Sequence, residues 1–364
     1  MNATAMTLDK PTAARANPGD TLKRVLVIKL GALGDFVQAL GAMRIVRETH
    51  PSARITLLTT PPFAEFARAC PYFDVVEDDG RQKEVKAQSA MIKRVKAARY
   101  DMVYDFQNNG RTERYYGSIR PRPLWSGAAK GASHRHDNPN RAAMHNFDRL
   151  AEQLECAGLG PHGVGDTQGW PRGAGPLPEL SWVKDAFNNP PRLQPAFFGL
   201  PERFMLMIPG SSPEHPEKRW PEERFAQLAT RLADAGVTPV VVGAAAEGRV
   251  AHRIVTDEPR AKNIVTRTDL FQLAALSEQA LFSIGGDTGP MHMAAAAGRP
   301  GVCLFAQEWT PAMEAELDTI WNPETRLGRA APKGAQPIVV VHAPNLEDVS
   351  VDDVWRASKA LGVF

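Results

Sequence analysis

Short β-branched and aliphatic runs, each followed by apolar residues at helical spacing, recur along this chain in two series, and that alternation limits the fold more than any other feature. The first series opens with residues 24–29 (RVLVIK); after Gly34, Phe36, Val37, Leu40, Met43 and Val46 fall on one helical face. Further strands are expected at 55–59, 75–77 and 102–106, with helices at 63–69 and 85–98 between them. In the second series strands are expected at 204–208, 239–243, 264–265, 281–284, 302–305 and 338–342. Helices are expected there at 222–235 and 351–361, the latter with Ser350 as N-cap and Asp353 in its first turn. Strands alternating with helices require a mostly parallel sheet covered on both faces. The expected fold class is α/β, with two similar α/β/α halves facing a central cleft.

Between the series, residues 158–201 are dominated by Gly, Pro, Trp and Asn, with a short helix expected at 182–187. The expected organisation is a disordered tail (1–22), an N-terminal Rossmann-like domain (23–175), a linker (176–200), a C-terminal Rossmann-like domain (201–350) and a final helix (351–364) that returns to the N-terminal domain. A chain of 364 residues exceeds the usual single core, which favours two domains. Residues 308–336 mix Pro, Trp and charges without a period and read as a loop excursion.

With 43 Lys and Arg against 41 Asp and Glu, the net charge of +2 gives no global reason to expect nucleic acid. Any anion site must be local. The cysteines Cys70, Cys156 and Cys303 are widely spaced and suit a reducing compartment better than a disulfide framework. The first twenty residues lack the apolar core of a secretory signal, and no uncharged apolar run reaches spanning length. The expectation is a cytoplasmic protein, with peripheral contact to a membrane surface as a further hypothesis.

Three segments carry chemistry. The first, 29–35 (KLGALGD), follows a strand, where open parallel sheets place their ligand sites. Gly31 and Gly34 allow close backbone approach, and Asp35 either caps the next helix or projects a carboxylate. The third glycine of a dinucleotide fingerprint is missing, which weakens an oxidoreductase reading. The second segment is Pro209, Gly210, Ser211 and Ser212, followed by Lys218, Arg219 and a helix. Free N–H groups, two hydroxyls and a lysine are the parts of a phosphate cradle; an ordinary polar loop is the alternative. The third segment, 285–292 (GGDTGPMH), joins a strand to a small-residue helix and offers a diphosphate the positive end of a helix dipole. Asp287 would repel phosphate there unless it meets sugar hydroxyls, and helix capping by Asp287 or Thr288 is the alternative. No D-x-D occurs, so a metal-bridged diphosphate lacks its usual ligands and no cofactor is expected. His134, His136 and His145, with Arg135 and Arg141, fit no common metal spacing and read as loop residues or as a basic acceptor patch.

Taken in order, these segments resemble glycosyltransferase family 9, the ADP-heptose:lipopolysaccharide heptosyltransferases. The most specific pieces are VLVIKLGALGDFVQALGAMRIVRETHPSARITLLT, KRWPEERFAQLATRLADAGVTPVVVGAAAE and SIGGDTGPMHMAAAAGRP. The resemblance implies the GT-B fold, with the acceptor on the first domain and the nucleotide sugar on the second. It implies Asp35 as the catalytic carboxylate, with Lys29, Gly31 and Gly34 in the loop near the acceptor. Ser211, Ser212, Lys218, Glu247, Asp287, Thr288, Gly289 and His292 become the donor-binding set, Glu247 toward the ribose. The partners implied are a nucleotide-sugar donor and a lipid-linked or oligosaccharide acceptor, handled by a monomer. A nucleotide-sugar epimerase on the same scaffold and a non-catalytic sugar-nucleotide or glycan-binding protein are the competing readings.

Overall fold

A computed structural model of the chain describes residues 21–78, 84–166, 169–171, 173–186, 190–210, 218–307 and 330–364. They form two compact units: Met1–Leu30, Ala42–Asp137 and Ala151–Trp170 make the first, and Gly31–Gly41, Asn138–Leu150 and Pro171–Phe364 the second. The second unit thus takes in two stretches, 31–41 and 138–150, that precede the domain boundary expected from sequence. The expected tail, and residues 308–329 of the expected loop excursion, lie outside the described residues.

In the first unit the strands are β1 (Arg24–Ile28), β2 (Arg54–Thr59), β3 (Val75–Asp78), β4 (Met102–Asp105), β5 (Leu124–Gly127) and β6 (His134–Arg135). All pair in parallel, in the order β3-β2-β1-β4-β5-β6. The helices are α1 (Leu33–Thr49), α2 (Pro61–Ala69), α3 (Val85–Ala97), α4 (Gly110–Ser118) and α5 (Asn146–Cys156), after which β7 (Leu159–Gly160) and β8 (Gly163–Val164) form a small antiparallel pair. Four of the five residues of β1 are buried, as expected for a central parallel strand covered on both faces. The core joins Leu26, Ile28 and Val103 to Tyr115, Tyr116 and Trp125.

The second unit repeats the pattern with β9 (Phe204–Ile208), β10 (Thr238–Val241), β11 (Lys262–Asn263), β12 (Ser283–Gly286), β13 (Gly301–Ala306) and β14 (Ile338–Ala343), in the order β11-β10-β9-β12-β13-β14. Its helices are α6 (Glu222–Asp234), α7 (Gly248–Asp257), α8 (Leu270–Gln279), α9 (Gly289–Ala296) and α10 (Val351–Ala360). On α6, Phe225, Ala226, Leu228, Ala229 and Leu232 are buried, the stripe its spacing predicts. Trp220 joins the same core and donates from Nε1 to the Val349 carbonyl at 2.9 Å. The two-unit α/β class read from the sequence is therefore present. In each sheet the strand order reverses after the third strand, which leaves a crevice at the carboxyl ends of β1 and β4, and of β9 and β12.

The final helix packs on α6, β13 and β14 of its own unit, because Val351, Val354 and Ala357 complete the second core. The Ser350 cap with Asp353 is present, Ser350 Oγ accepting from the Asp353 N–H at 3.1 Å. The expected strand at 264–265 lies two residues earlier, since Lys262 and Asn263 pair with β10 while Ile264 and Val265 turn into the core. The expected short helix at 182–187 is a single turn at Ser181–Val183. No helix among the described residues is long and apolar enough to cross a membrane.

Gly41 marks where α1 meets the stretch entering the second unit: a Cβ there would lie 1.8 Å from the Pro176 carbonyl oxygen. Gly→Ala in an open helix stabilises by about 1 kcal/mol. Here backbone blocks the added methyl, so Gly41→Ala is expected to destabilise by about 1–3 kcal/mol, read as a lower urea midpoint.

Candidate functional site

The site is built at the carboxyl ends of β9 and β12, on either side of the reversal in strand order. Two glycines end β12. A Cβ on Gly285 would meet Ile208 at 2.8 Å, and one on Gly286 would come within 3.2 Å of the Lys218 carbonyl oxygen. Side chains at these positions would push β12 off β9 and off the segment that carries Lys218. With the glycines in place, Lys218 Nζ sits 2.8 Å from Asp287 Oδ2 and 3.3 Å from the Asp287 carbonyl oxygen. The two side chains are 16% and 11% exposed, so water screens this pair far less than an ordinary surface pair. Ser211 and Ser212, expected in the same cradle, lie outside the described residues.

The other carboxylate oxygen, Asp287 Oδ1, lies 3.3 Å from Nε2 of buried His292 on α9. Neither capping reading applies to α9. Asp287 is engaged by Lys218 and His292, and Thr288, although at the N-cap position, makes no side-chain cap bond. The Thr288 Oγ1 atom is buried without a hydrogen-bond partner among the described residues. Of the first turn of α9, the Gly289 and Met291 N–H groups receive no side-chain cap, Pro290 has no N–H and the His292 N–H is bonded to the Thr288 carbonyl; two uncapped donors beside a lysine suit an anion.

The start of α1 belongs to this same unit and packs directly on α9. A Cβ on Gly289 would meet Leu33 Cβ at 2.8 Å, and one on Gly34 would meet His292 Cδ2 at 2.7 Å. One turn further along α1, the buried Gln38 places Nε2 3.0 Å from His292 Nδ1 and 3.3 Å from its Nε2. Asp35 is exposed within the first turn of α1, so its backbone is helical and it is not the N-cap. It is a carboxylate presented to solvent on the helix that packs against the Lys218–Asp287–His292 cluster. The guanidinium of Arg149 on α5 feels the charge of Asp35, and burial holds that guanidinium below its usual range. Sequence reading missed Gln38 and Arg149. For Gln38 the signal was available, a polar residue three positions after Asp35 on an otherwise apolar face.

Glu247 stands at the carboxyl ends of β9 and β10, wedged against Gly210 and Gly243, where a Cβ would meet it at 2.7 Å and 2.9 Å. Its Oε2 accepts from the Ala244 N–H at 2.8 Å. Lys29 belongs to the first unit, is buried and donates to the Phe106 carbonyl at 3.2 Å. Gly31 takes a positive φ of 112°, which only glycine adopts without strain. The three histidines differ. His134 contacts Ser133 Oγ on β6, His136 is buried 3.4 Å from Glu152, and His145 is buried in the second unit. His145 is thereby removed from the solvated loop or basic patch expected from sequence: apolar burial outweighs its polar character. No group of three or more His, Cys, Asp or Glu among the described residues is placed to hold a metal ion. Cys70, Cys156 and Cys303 are free thiols, and burial pushes the Cys303 thiol well up.

The sequence profile of glycosyltransferase family 9 (heptosyltransferase) matches residues 176–328. Lipopolysaccharide heptosyltransferase 2 of Escherichia coli is 32% identical over 104 residues, 26% of this chain and 30% of that protein, so the match spans less than a third of the relative's length. The glycosyltransferase family 9 structure from Veillonella parvula superposes with a TM-score of 0.72 at 20% identity, covering 93% of this chain and 97% of that one. An E. coli heptosyltransferase solved with ADP gives a TM-score of 0.65 at 17% identity, covering 93% of this chain and 99% of that one. The shared architecture is the GT-B fold.

His145 generates a prediction about acid stability. Its Nε2 donates to the Ala331 carbonyl at 3.1 Å while Nδ1 accepts from the Phe147 N–H at 3.1 Å, an arrangement that requires the neutral ring. Burial, then the charge of Lys333, lowers its pKa from 6.5 to about 3. The unfolded chain therefore binds this proton at a pH where the folded protein does not. The stabilisation is complete above pH 6.5 and is lost as pH falls toward 3. It amounts to about 5 kcal/mol at most. Denaturant melts across that range should show a shallower acid loss for His145→Gln than for the wild type.

Proposed function

We propose, from the match of residues 176–328 to the family profile, that this chain is an inverting glycosyltransferase of family 9. It moves heptose, or a related sugar, from a nucleotide-sugar donor of the ADP-heptose kind to a lipopolysaccharide-core or other glycan acceptor. The observation that carries this reading is the Asp287 carboxylate held between Lys218 and His292 at the β12–α9 junction, with the first turn of α1, bearing Asp35, packed on the same helix. The ADP of the E. coli heptosyltransferase supports a nucleoside diphosphate as the leaving group.

In this reading Lys218, Thr288 Oγ1 and the N–H groups of Gly289 and Met291 meet the diphosphate. Asp287 accepts from sugar hydroxyls, and Lys218 shares its charge between Asp287 and phosphate oxygens. Glu247, at the ends of β9 and β10, lies toward the ribose. The acceptor hydroxyl attacks the anomeric carbon from the face opposite the diphosphate. Its proton passes to the Asp35 carboxylate, the bond to the diphosphate oxygen breaks, and configuration inverts. Departure of the diphosphate is stabilised by preorganised donors rather than by rearrangement during the reaction. The acceptor is lipid-linked or an oligosaccharide and meets the enzyme at the cytoplasmic face of the membrane.

The test is nucleoside diphosphate release from ADP-heptose and from other sugar nucleotides, with a truncated lipopolysaccharide acceptor. Asp35→Ala is expected to lower acceptor-dependent release by about 10²–10⁴-fold while leaving donor binding intact. Lys218→Ala is expected to weaken donor binding itself. Donor bound and converted to an isomer without any acceptor would replace this reading with the epimerase.

A further inference from the structure

Charge is distributed unevenly in this chain. Residues 84–137 carry eleven Lys and Arg against five Asp and Glu, a net +6 in a chain whose total is +2. The excess belongs to α3, α4 and the loops that follow them, and the rest of the chain is acidic overall. Of the five acids, Asp105 is buried, Asp101 accepts from the Lys23 and Arg24 N–H groups, and Asp137 lies 3.7 Å from Arg135. That leaves Glu84 and Glu113 to offset the other cations.

The fold gathers these cations on one layer. Met91 and Val95 of α3 and Tyr115 and Tyr116 of α4 share a core with Leu26, Ile28, Val103 and Trp125, so both helices cover the same face of the first sheet. At 3.6 residues per turn, Lys86 and Lys93 lie opposite the buried side of α3 with Lys96 beside them, and Arg114 lies opposite the buried side of α4. All four are exposed. The outward positions between them are small, Ser89, Ala90, Ala97 and Gly117, so the charged ends rise from a low surface. Arg120 and Arg122, exposed in the loop after α4, extend the charge, with Arg122 held 4.2 Å over the Tyr116 ring.

These cations are also unmatched. In the second unit exposed arginines are balanced locally, Arg231 by Asp352, Arg249 by Glu222, Arg253 by Asp257 and Arg356 by Asp353. On α3, Arg94 has Glu77 at 2.8 Å, but Lys86, Lys93, Lys96 and Arg114 have no ion pair among the described residues. A face of one sign, carried on two helices packed against a sheet, is complementary to an extended anionic surface rather than to one small anion.

We propose that the outer face of α3 and α4 docks on an anionic lipid bilayer, whose phosphate headgroups are the partners of Lys86, Lys93, Lys96 and Arg114. The choice of a bilayer over another extended polyanion rests on the transferase reading and its lipid-linked acceptor. Each cation near such a surface strengthens binding about 5-fold, and the attraction fades beyond about 8 Å at physiological salt. Docking leaves the chemistry unchanged and raises the rate at which the enzyme meets acceptors embedded in the same bilayer.

Sedimentation of the full-length protein with vesicles tests this. Retention is expected on phosphatidylcholine vesicles containing phosphatidylglycerol, little on phosphatidylcholine alone, and release as salt is raised to about 1 M, where screening shortens to about 3 Å. The triple variant Lys86→Gln, Lys93→Gln, Lys96→Gln is expected to weaken retention on the anionic vesicles by about 10²-fold. The triple variant Arg249→Gln, Lys262→Gln, Arg356→Gln removes the same charge from exposed positions of the second unit and is expected to change retention little. With a sugar nucleotide, the α3 variant should turn over a water-soluble acceptor as the wild type does and a bilayer-embedded one more slowly. No retention of the wild type on anionic vesicles, equal loss from both triple variants, or tighter binding to duplex DNA than to those vesicles would overturn the proposal. If no sugar nucleotide is turned over by the wild type, the transferase reading fails, and the vesicles still decide the docking face.

Discussion

Everything at the candidate site depends on the absence of side chains at two positions. Gly34 and Gly289 bring the first turns of α1 and α9 so close that a single methyl at either would collide with His292 or Leu33. Only at that separation does Gln38 reach His292, and only then is the solvent-facing Asp35 carried on the same packed pair of helix starts as Asp287. The glycines at the end of β12 do the same for Lys218. Removing Cβ atoms is how the fold turns three sequence segments into one polar chain.

That chain has a consistent electrostatic logic. Asp287 is the only carboxylate placed between Lys218 and His292 among the described residues, and each of its oxygens has its own partner. A carboxylate shielded in this way can stand beside an anion-binding helix start without repelling what binds there, because its charge is already balanced by Lys218. Thr288 Oγ1 and the uncapped N–H groups of Gly289 and Met291 supply the complementary donors.

Much of this was legible. The alternation of strands and helices specified two α/β units, because the period of apolar residues is a property of the local chain. Glycine-rich turns after strands pointed to the carboxyl ends of β1, β9 and β12. Other elements were not legible. β5 contains only Leu124, Trp125, Ser126 and Gly127, with no β-branched residue, and is a strand because β4 pairs with it. α4 is polar and rich in glycine, yet Asn109 and Thr112 form a capping box that starts it. His145 reads as a loop histidine until packing buries it.

The sequence by itself determined the fold class, the strand-to-helix junctions where ligands gather, and the residue types that could meet an anion or remove a proton, since each follows from spacing along a few neighbouring residues. Tertiary structure decided which of those residues meet. That α1 begins against α9, that α10 completes the second core, and that Asp287 holds Lys218 and His292 at once are outcomes of contacts between segments up to 258 residues apart (Gly34 to His292, 292 − 34). No local pattern encodes such contacts, because they exist only when both partners have been brought to the same place by the packing of everything between them.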